Sequence, residues 1–227
     1  MFHSKPPAYY ASLYKKHNFT GGHVIKLGPG NDEAARKALA AWPNMLQIGG
    51  GINLSNASTW INDHAAAKVI VTSAIFPKNN YDEDTMRRLS ELVGKGKLVV
   101  DLSCRKRGLA WIVATDKWQT LTDTKITEKT LSHFAEYCSE FLIHAADVEG
   151  LCKGIDEDLV LVLGKWSKIN CTYAGGGRDI ADLELVKTLS GGNVDLTFGS
   201  ALDIFGGTGV KLDDCVKWNS EESQDRP

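Results

Sequence analysis

Two stretches decide the fold: "LQIGGGINLSNAS" (46–58) and "TYAGGGRDIADLE" (172–184). Each runs from a short apolar segment into three glycines and then into residues that read as the start of a helix. The triplets begin at Gly49 and Gly175, 126 residues apart. A second pair, "VIVTSA" (69–74) and "LTFGSA" (196–201), sets Ser73 and Ser200 a further 24 and 25 residues along. Two motifs copied at a near-constant offset predict one architectural half used twice.

Working outward, seven apolar runs read as strands: "HVIKLG" (23–28), "LQIGG" (46–50), "KVIVTSA" (68–74), "KLVVDLS" (97–103), "EFLIHAAD" (140–147), "INCTYAGG" (169–176) and "VDLTFGSA" (194–201). They are nearly continuous in apolar character, as parallel strands covered on both faces are. Amphipathic segments such as "DEAARKALAA" (32–41), "DEDTMRRLSELV" (82–93) and "IADLELVKTLS" (180–190) alternate with them, which implies repeated βα units. No linker divides residues 1–227, so one domain is expected, with residues 219–227 as a loose tail. Two copies of a four-strand half make eight strands. The expected fold is therefore an α/β, half-barrel-duplicated (β/α)8 TIM barrel whose first strand is missing from this chain. "PPAYYASLYKKHN" (6–18) reads as the helix following that strand, and a late start codon or a missed exon would account for the gap. The neighbouring second and eighth strands are then expected to be unpaired edges.

A glycine turn lacks the Cβ that would block an anion, and free backbone N–H groups at a helix start favour one. In such barrels phosphates commonly bind at the C-terminal rim, after strands seven and eight. Gly176, Gly177, Gly199 and Ser200 form one candidate cradle, and Gly50, Gly51 and Ser73 form a matching one across the ring. Two anion sites facing one mouth predict an elongated substrate with a phosphate at each end. The plainer alternative is a pair of ordinary turns with Asn53, Ser55 and Asp179 as helix caps. A dinucleotide fingerprint in "LGPGNDEA" fails, because Glu33 stands where the third glycine belongs.

"KLVVDLSCRK" ends its strand with Asp101, a candidate general acid or base at the rim. "FLIHAADVEG" brings His144, Asp147 and Glu149 towards the same mouth, His144 in either a structural or a catalytic role. The long connection 102–126 reads as a lid or small hairpin. Its Trp111 and Trp118 either stack on a flat ligand or cover the barrel mouth, and Arg105, Lys106 and Arg107 attract an anion or are solvated.

Net charge is −2 from 26 basic and 28 acidic side chains, so nothing argues for nucleic acid or an anionic membrane as partner. No apolar run reaches the length of a membrane span, and the proline-bearing start is unlike a signal peptide. The five cysteines form no CxxC pair and the six histidines no metal-binding spacing, so buried thiols in a reducing cytoplasm, and no metal, are expected.

Taken together, "HVIKLG", "GGGIN", "VVDLSCRK", "WQTLTD", "LIHAADVEGLC", "YAGGGR", "VDLTFGS" and "LDIFGG" resemble the phosphoribosylformimino-5-aminoimidazole carboxamide ribotide isomerases of histidine biosynthesis, particularly the eukaryotic branch. The resemblance runs from about Pro7 to Asn219. It implies a cofactor-free Amadori rearrangement of a small bisphosphorylated ribotide by a cytoplasmic, monomeric enzyme. Asp101 would be the general acid that protonates the furanose ring oxygen, and an aspartate ending the first strand would be the base. Trp118 would stack on the ligand, with His144, Glu149 and Arg105 as accessory residues. The chain departs from the family pattern at Thr72, where glycine is usual, at Ala145, where threonine is usual, and at Glu149-Gly150, where the pair is usually Asp-Gly. Two other readings remain: the sister cyclase barrel of imidazole glycerol phosphate synthase, and a phosphate-binding remnant without catalysis.

Overall fold

All seven apolar runs are strands of one sheet in the order β1 (His23–Ile25), β2 (Gln47–Gly49), β3 (Lys68–Val71), β4 (Leu98–Asp101), β8 (Glu140–His144), β9 (Asn170–Ala174) and β10 (Val194–Thr197). Every pairing in it is parallel. These features come from a computed structural model that describes residues 5–225. Helices α1 (Pro7–Lys16), α2 (Asp32–Ala41), α3 (Ala57–Asn62), α4 (Glu83–Val93), α5 (Glu128–Phe134), α6 (Glu157–Trp166), α7 (Ala181–Ser190) and α8 (Leu212–Asp225) connect or follow the strands. This is the curled sheet of a (β/α)8 barrel with seven strands. Among the described residues it stays open between β10 and β1, its two edges, where a cavity of about 810 Å³ is lined by Gly22, His23, Gln47 and Thr197, among others.

Helix starts follow local chemistry. The side chains of Asp82, Thr127 and Asp156 accept hydrogen bonds from the backbone N–H groups of Thr85, Thr130 and Leu159, which opens α4, α5 and α6. α1 begins at Pro7, whose missing N–H costs nothing at the first helical position. The expected loose tail is corrected: α8 carries residues 219–225 as helix, and Lys187 pairs with Glu222 at 2.6 Å. Residues 226–227 of that tail lie outside the described residues.

Strand alternation sorts the side chains into layers. Outward-facing Val69, Val71, Leu98, Val100, Phe141, Ile143 and Tyr173 pack with the helices in the main core. Inward-facing Ile70, Val99, Leu142 and Ala174 form a separate small core inside the curl. Below them, Gln47 Nε2 and Lys68 Nζ donate to Glu140 at 2.9 and 2.8 Å, so a buried carboxylate is paired at the base. Above them lie Thr72, Asp101 and His144.

The connection after β4 is a three-stranded antiparallel sheet of β5 (Cys104–Arg107), β6 (Ala110–Thr115) and β7 (Thr120–Lys125). Trp111 is buried, and its Nε1 donates to Asp156 at 2.8 Å, which ties the hairpin to the start of α6. Packing of α6 on α7 depends on Gly164, where an added Cβ would stand 2.5 Å from Ser190 Cα. Gly164→Ala gains about 1 kcal/mol of helix propensity yet drives backbone against backbone. The expected net effect is destabilisation of about 1–3 kcal/mol, read as a lower denaturant midpoint; a raised midpoint would contradict this account of the interface.

Candidate active site

The strand ends bring most of the sequence-predicted residues to one rim. Asp101 pairs in register with Leu142, so His144, two residues further on, shares Leu142's face and reaches the carboxylate from the neighbouring strand. His144 Nδ1 stands 3.5 Å from Asp101 Oδ1. That is an ion-pair contact that falls short of hydrogen-bond geometry, and Nδ1 is otherwise buried without a hydrogen-bond partner among the described residues. Ser103 Oγ donates to Asp101 Oδ1 at 2.8 Å and Thr72 Oγ1 to Oδ2 at 3.2 Å. Sequence reasoning missed both hydroxyls. Ser103 lies two residues beyond Asp101, hence on the same face, and that spacing was the available signal.

The electrostatics of the pair are coupled. Burial raises the Asp101 pKa, but the His144 contact and the two hydroxyls outweigh it and hold the carboxyl below its ordinary value. Burial lowers the His144 pKa, and Asp101, with a smaller contribution from Glu149, outweighs it and holds the imidazole above its ordinary value. Both shifts favour the charged forms, carboxylate at Asp101 and imidazolium at His144. His23, on β1 at the open side, is pushed down mainly by burial, which favours its neutral form.

Two cavities flank this pair. One, of about 530 Å³, is lined by Gly50, Gly51, Thr72, Ser73, Asp101 and Trp118, among others. The other, of about 260 Å³, is lined by His23, His144, Glu149, Gly176, Gly177, Gly199 and Ser200, among others. The expected single mouth is thus two chambers, with Asp101 in the wall of one and His144 in the wall of the other. Trp118 leans over the junction, its ring centroid 6.1 Å from that of His144.

Each glycine triplet has a second reason to exist. A Cβ on Gly50 would stand 2.0 Å from the Lys26 carbonyl oxygen, and one on Gly176 would stand 2.1 Å from the Gly154 carbonyl oxygen. Both also have positive φ, 88° and 74°. The middle glycine of each copy therefore lets two rim loops touch backbone to backbone. The turns are braced from outside as well. Asn53 and Asn56 donate to the Gly51 carbonyl, while buried Asp182 accepts from Arg178 N and Nη2. Asn53, Ser55 and Asp179 are not helix caps: α3 starts at Ala57 after Asn56, and α7 at Ala181 after Ile180. The Asn53 amide oxygen and an Asp179 carboxylate oxygen instead accept from Ser55 N and Ala181 N inside the turns.

The remaining candidates separate. Trp111 belongs to the core and does not face a ligand chamber. Arg105 lines neither of these chambers; it binds the Trp118 carbonyl and Asp147. Lys106 pairs with Asp158 at 2.7 Å, and Arg107 donates to its neighbour's carbonyl. Cys104, Cys138 and Cys171 are buried, whereas Cys152 and Cys215 are only partly so, and all five thiols are free. Among the described residues no helix is long and apolar enough to cross a membrane, and no group of three or more acidic, His or Cys side chains is placed to hold a metal ion.

Comparison with known proteins bears on this rim. The chain is 56% identical over 229 residues to a protein of Yarrowia lipolytica named 1-(5-phosphoribosyl)-5-((5-phosphoribosylamino)methylideneamino) imidazole-4-carboxamide isomerase, with 96% of this chain and 85% of that protein covered. It is 56% identical over 220 residues to the protein of the same name from Neurospora crassa, with the same coverage. It is 54% identical over 223 residues to the one from Saccharomyces cerevisiae, again with 96% and 85% covered. A family model described as histidine biosynthesis protein matches residues 2–224. With the barrel rim, the duplicated glycine corners and these relatives in agreement, the chain belongs to the histidine biosynthesis protein family.

Proposed function

We propose that the chain is an aldose–ketose isomerase of histidine biosynthesis, acting on the imidazole-carboxamide ribotide named for its relatives. The observation that carries the reading is the buried Asp101–His144 pair between two glycine-cornered chambers. A substrate with two phosphoribosyl groups suits that layout. One phosphate sits at Gly50, Gly51 and Ser73, the other at Gly176, Gly177, Gly199 and Ser200, and the aminoaldose sugar lies over the pair. Trp118 covers the heterocycle, and Glu149 and His144 polarise the second chamber. The protein acts as a cytoplasmic monomer, a compartment supported by its free thiols.

The chemistry needs a proton delivered to the furanose ring oxygen, so that the C–O bond breaks and the ring opens to a Schiff base. It then needs the C2 proton removed, which gives an enolamine that becomes the aminoketose. Asp101 faces the first chamber as the acid, although its surroundings favour the ionised carboxylate. Delivery therefore requires Asp101 to take up a proton before it protonates the sugar, with His144 3.5 Å away on the neighbouring strand. Cofactor-free proton transfer of this kind fits groups held in place by burial and neighbouring charge.

Three outcomes test this reading. Asp101→Asn should lower kcat by about 10²–10⁴-fold with little change in KM; unchanged turnover would remove Asp101 from the mechanism, and ribotide binding without turnover in the parent would favour the remnant. Turnover that depends on an ammonia source would instead favour the cyclase.

The pH profile has a defined sign. His144, raised from 6.5, stabilises the fold below that value and loses its contribution as pH rises through the higher folded-state pKa. Asp101, lowered from 3.8, contributes above that value and loses its contribution as pH falls through the lower folded-state pKa. Activity is expected to fall at both edges of that window. Asp101→Asn should shift the His144 NMR titration to lower pH; an unmoved titration would show that the two do not share a proton.

A further inference from the structure

The hairpin tip carries backbone strain, and one side chain reaches it from outside. Asp116, Lys117 and Trp118 have φ of 49°, 52° and 67°, three consecutive non-glycine residues in the left-handed region. Within the tip, Gln119 N donates to Asp116 O at 3.1 Å. From outside, Arg105 Nε donates to the Trp118 carbonyl at 2.7 Å. The same guanidinium reaches Asp147 Oδ1 at 2.8 Å, while Asp147 Oδ2 accepts from Lys106 N at 2.8 Å. One carboxylate from the loop after β8 thus fixes both the side chain of Arg105 and the strand that bears it. The base of the hairpin is held separately, by Trp111 to Asp156 and by Lys106 to Asp158.

We propose that Arg105, anchored by Asp147, is a positioning residue that holds Trp118 over the junction of the two chambers. It acts through the Trp118 carbonyl, so it need not touch the ligand. The loop with Asp147 is also clipped to the second glycine corner, through Gly154 N donating to Gly176 O at 2.9 Å. The lid tip and one proposed phosphate cradle therefore share a support. The catalytic consequence rests on the reading of Trp118 as the residue that covers the heterocycle, whereas the positioning itself does not.

The two are tested separately. The six tryptophans give distinct 19F resonances when the chain is labelled with 5-fluorotryptophan, and Trp118→Phe assigns one of them. Arg105→Gln and Asp147→Ala, changes on two different loops, should each move or broaden the Trp118 resonance and leave the others in place. The double variant should add nothing to either. An unmoved Trp118 resonance in both single variants overturns the proposal, as does additivity in the double. In steady-state kinetics, Arg105→Gln should raise KM about tenfold, within the range of direct side-chain coupling, and the increase should vanish in a Trp118→Ala background. A KM increase that persists there means direct ligand contact by Arg105 and also overturns the proposal. If Trp118→Ala alone leaves KM unchanged, the lid reading fails, and the fluorine spectra still decide the positioning role.

Discussion

The contact between two buried side chains of opposite charge preference, Asp101 and His144, is the feature on which the rest of the site depends. Asp101 and His144 come from adjacent parallel strands, and only the two-residue period of those strands brings them to one face. Either charge alone at that depth would be costly; together, with two hydroxyls on the carboxylate, they remain ionised. The same alternation builds the layer of Ile70, Val99, Leu142 and Ala174 beneath them. That layer separates the rim from the paired Glu140 at the base. The polar rim above and the polar base below are kept apart by four apolar side chains.

The glycine corners illustrate how one chemical requirement serves two ends. Gly50 and Gly176 lack a Cβ because neighbouring carbonyls occupy that space. The same lack leaves a smooth backbone surface facing each chamber. Packing alone therefore explains the middle glycine of each triplet, and the ligand reading draws its weight from the chambers and from the pair between them. The duplication extends beyond the motif, since each corner rests on the carbonyl of another rim loop, Lys26 in one half and Gly154 in the other.

The hairpin after β4 divides two tryptophans that look alike in the sequence. Trp111 lies within β6 and faces the core, with its indole nitrogen satisfied by Asp156. Trp118 lies in the β6–β7 turn, where no ladder fixes its direction, and is aimed at His144. An aromatic side chain on a strand gets its direction from the strand's parity; one in a turn gets it from whatever holds the turn.

Local pattern carried much of the architecture. Apolar runs, their alternation with amphipathic segments and the repeated glycines were enough to place seven parallel strands, the first helix and the rim position of Asp101, because burial and backbone geometry leave a period in the chain. Family resemblance in the quoted motifs carried the reaction class. The hydroxyls on Asp101, its contact with His144, the burial of Trp111, the helical tail and the partners of Arg105 came only from the folded chain. Each depends on contacts between residues distant in sequence, such as Thr72 with Asp101 or Arg105 with Asp147, and no local period records which partner a side chain meets.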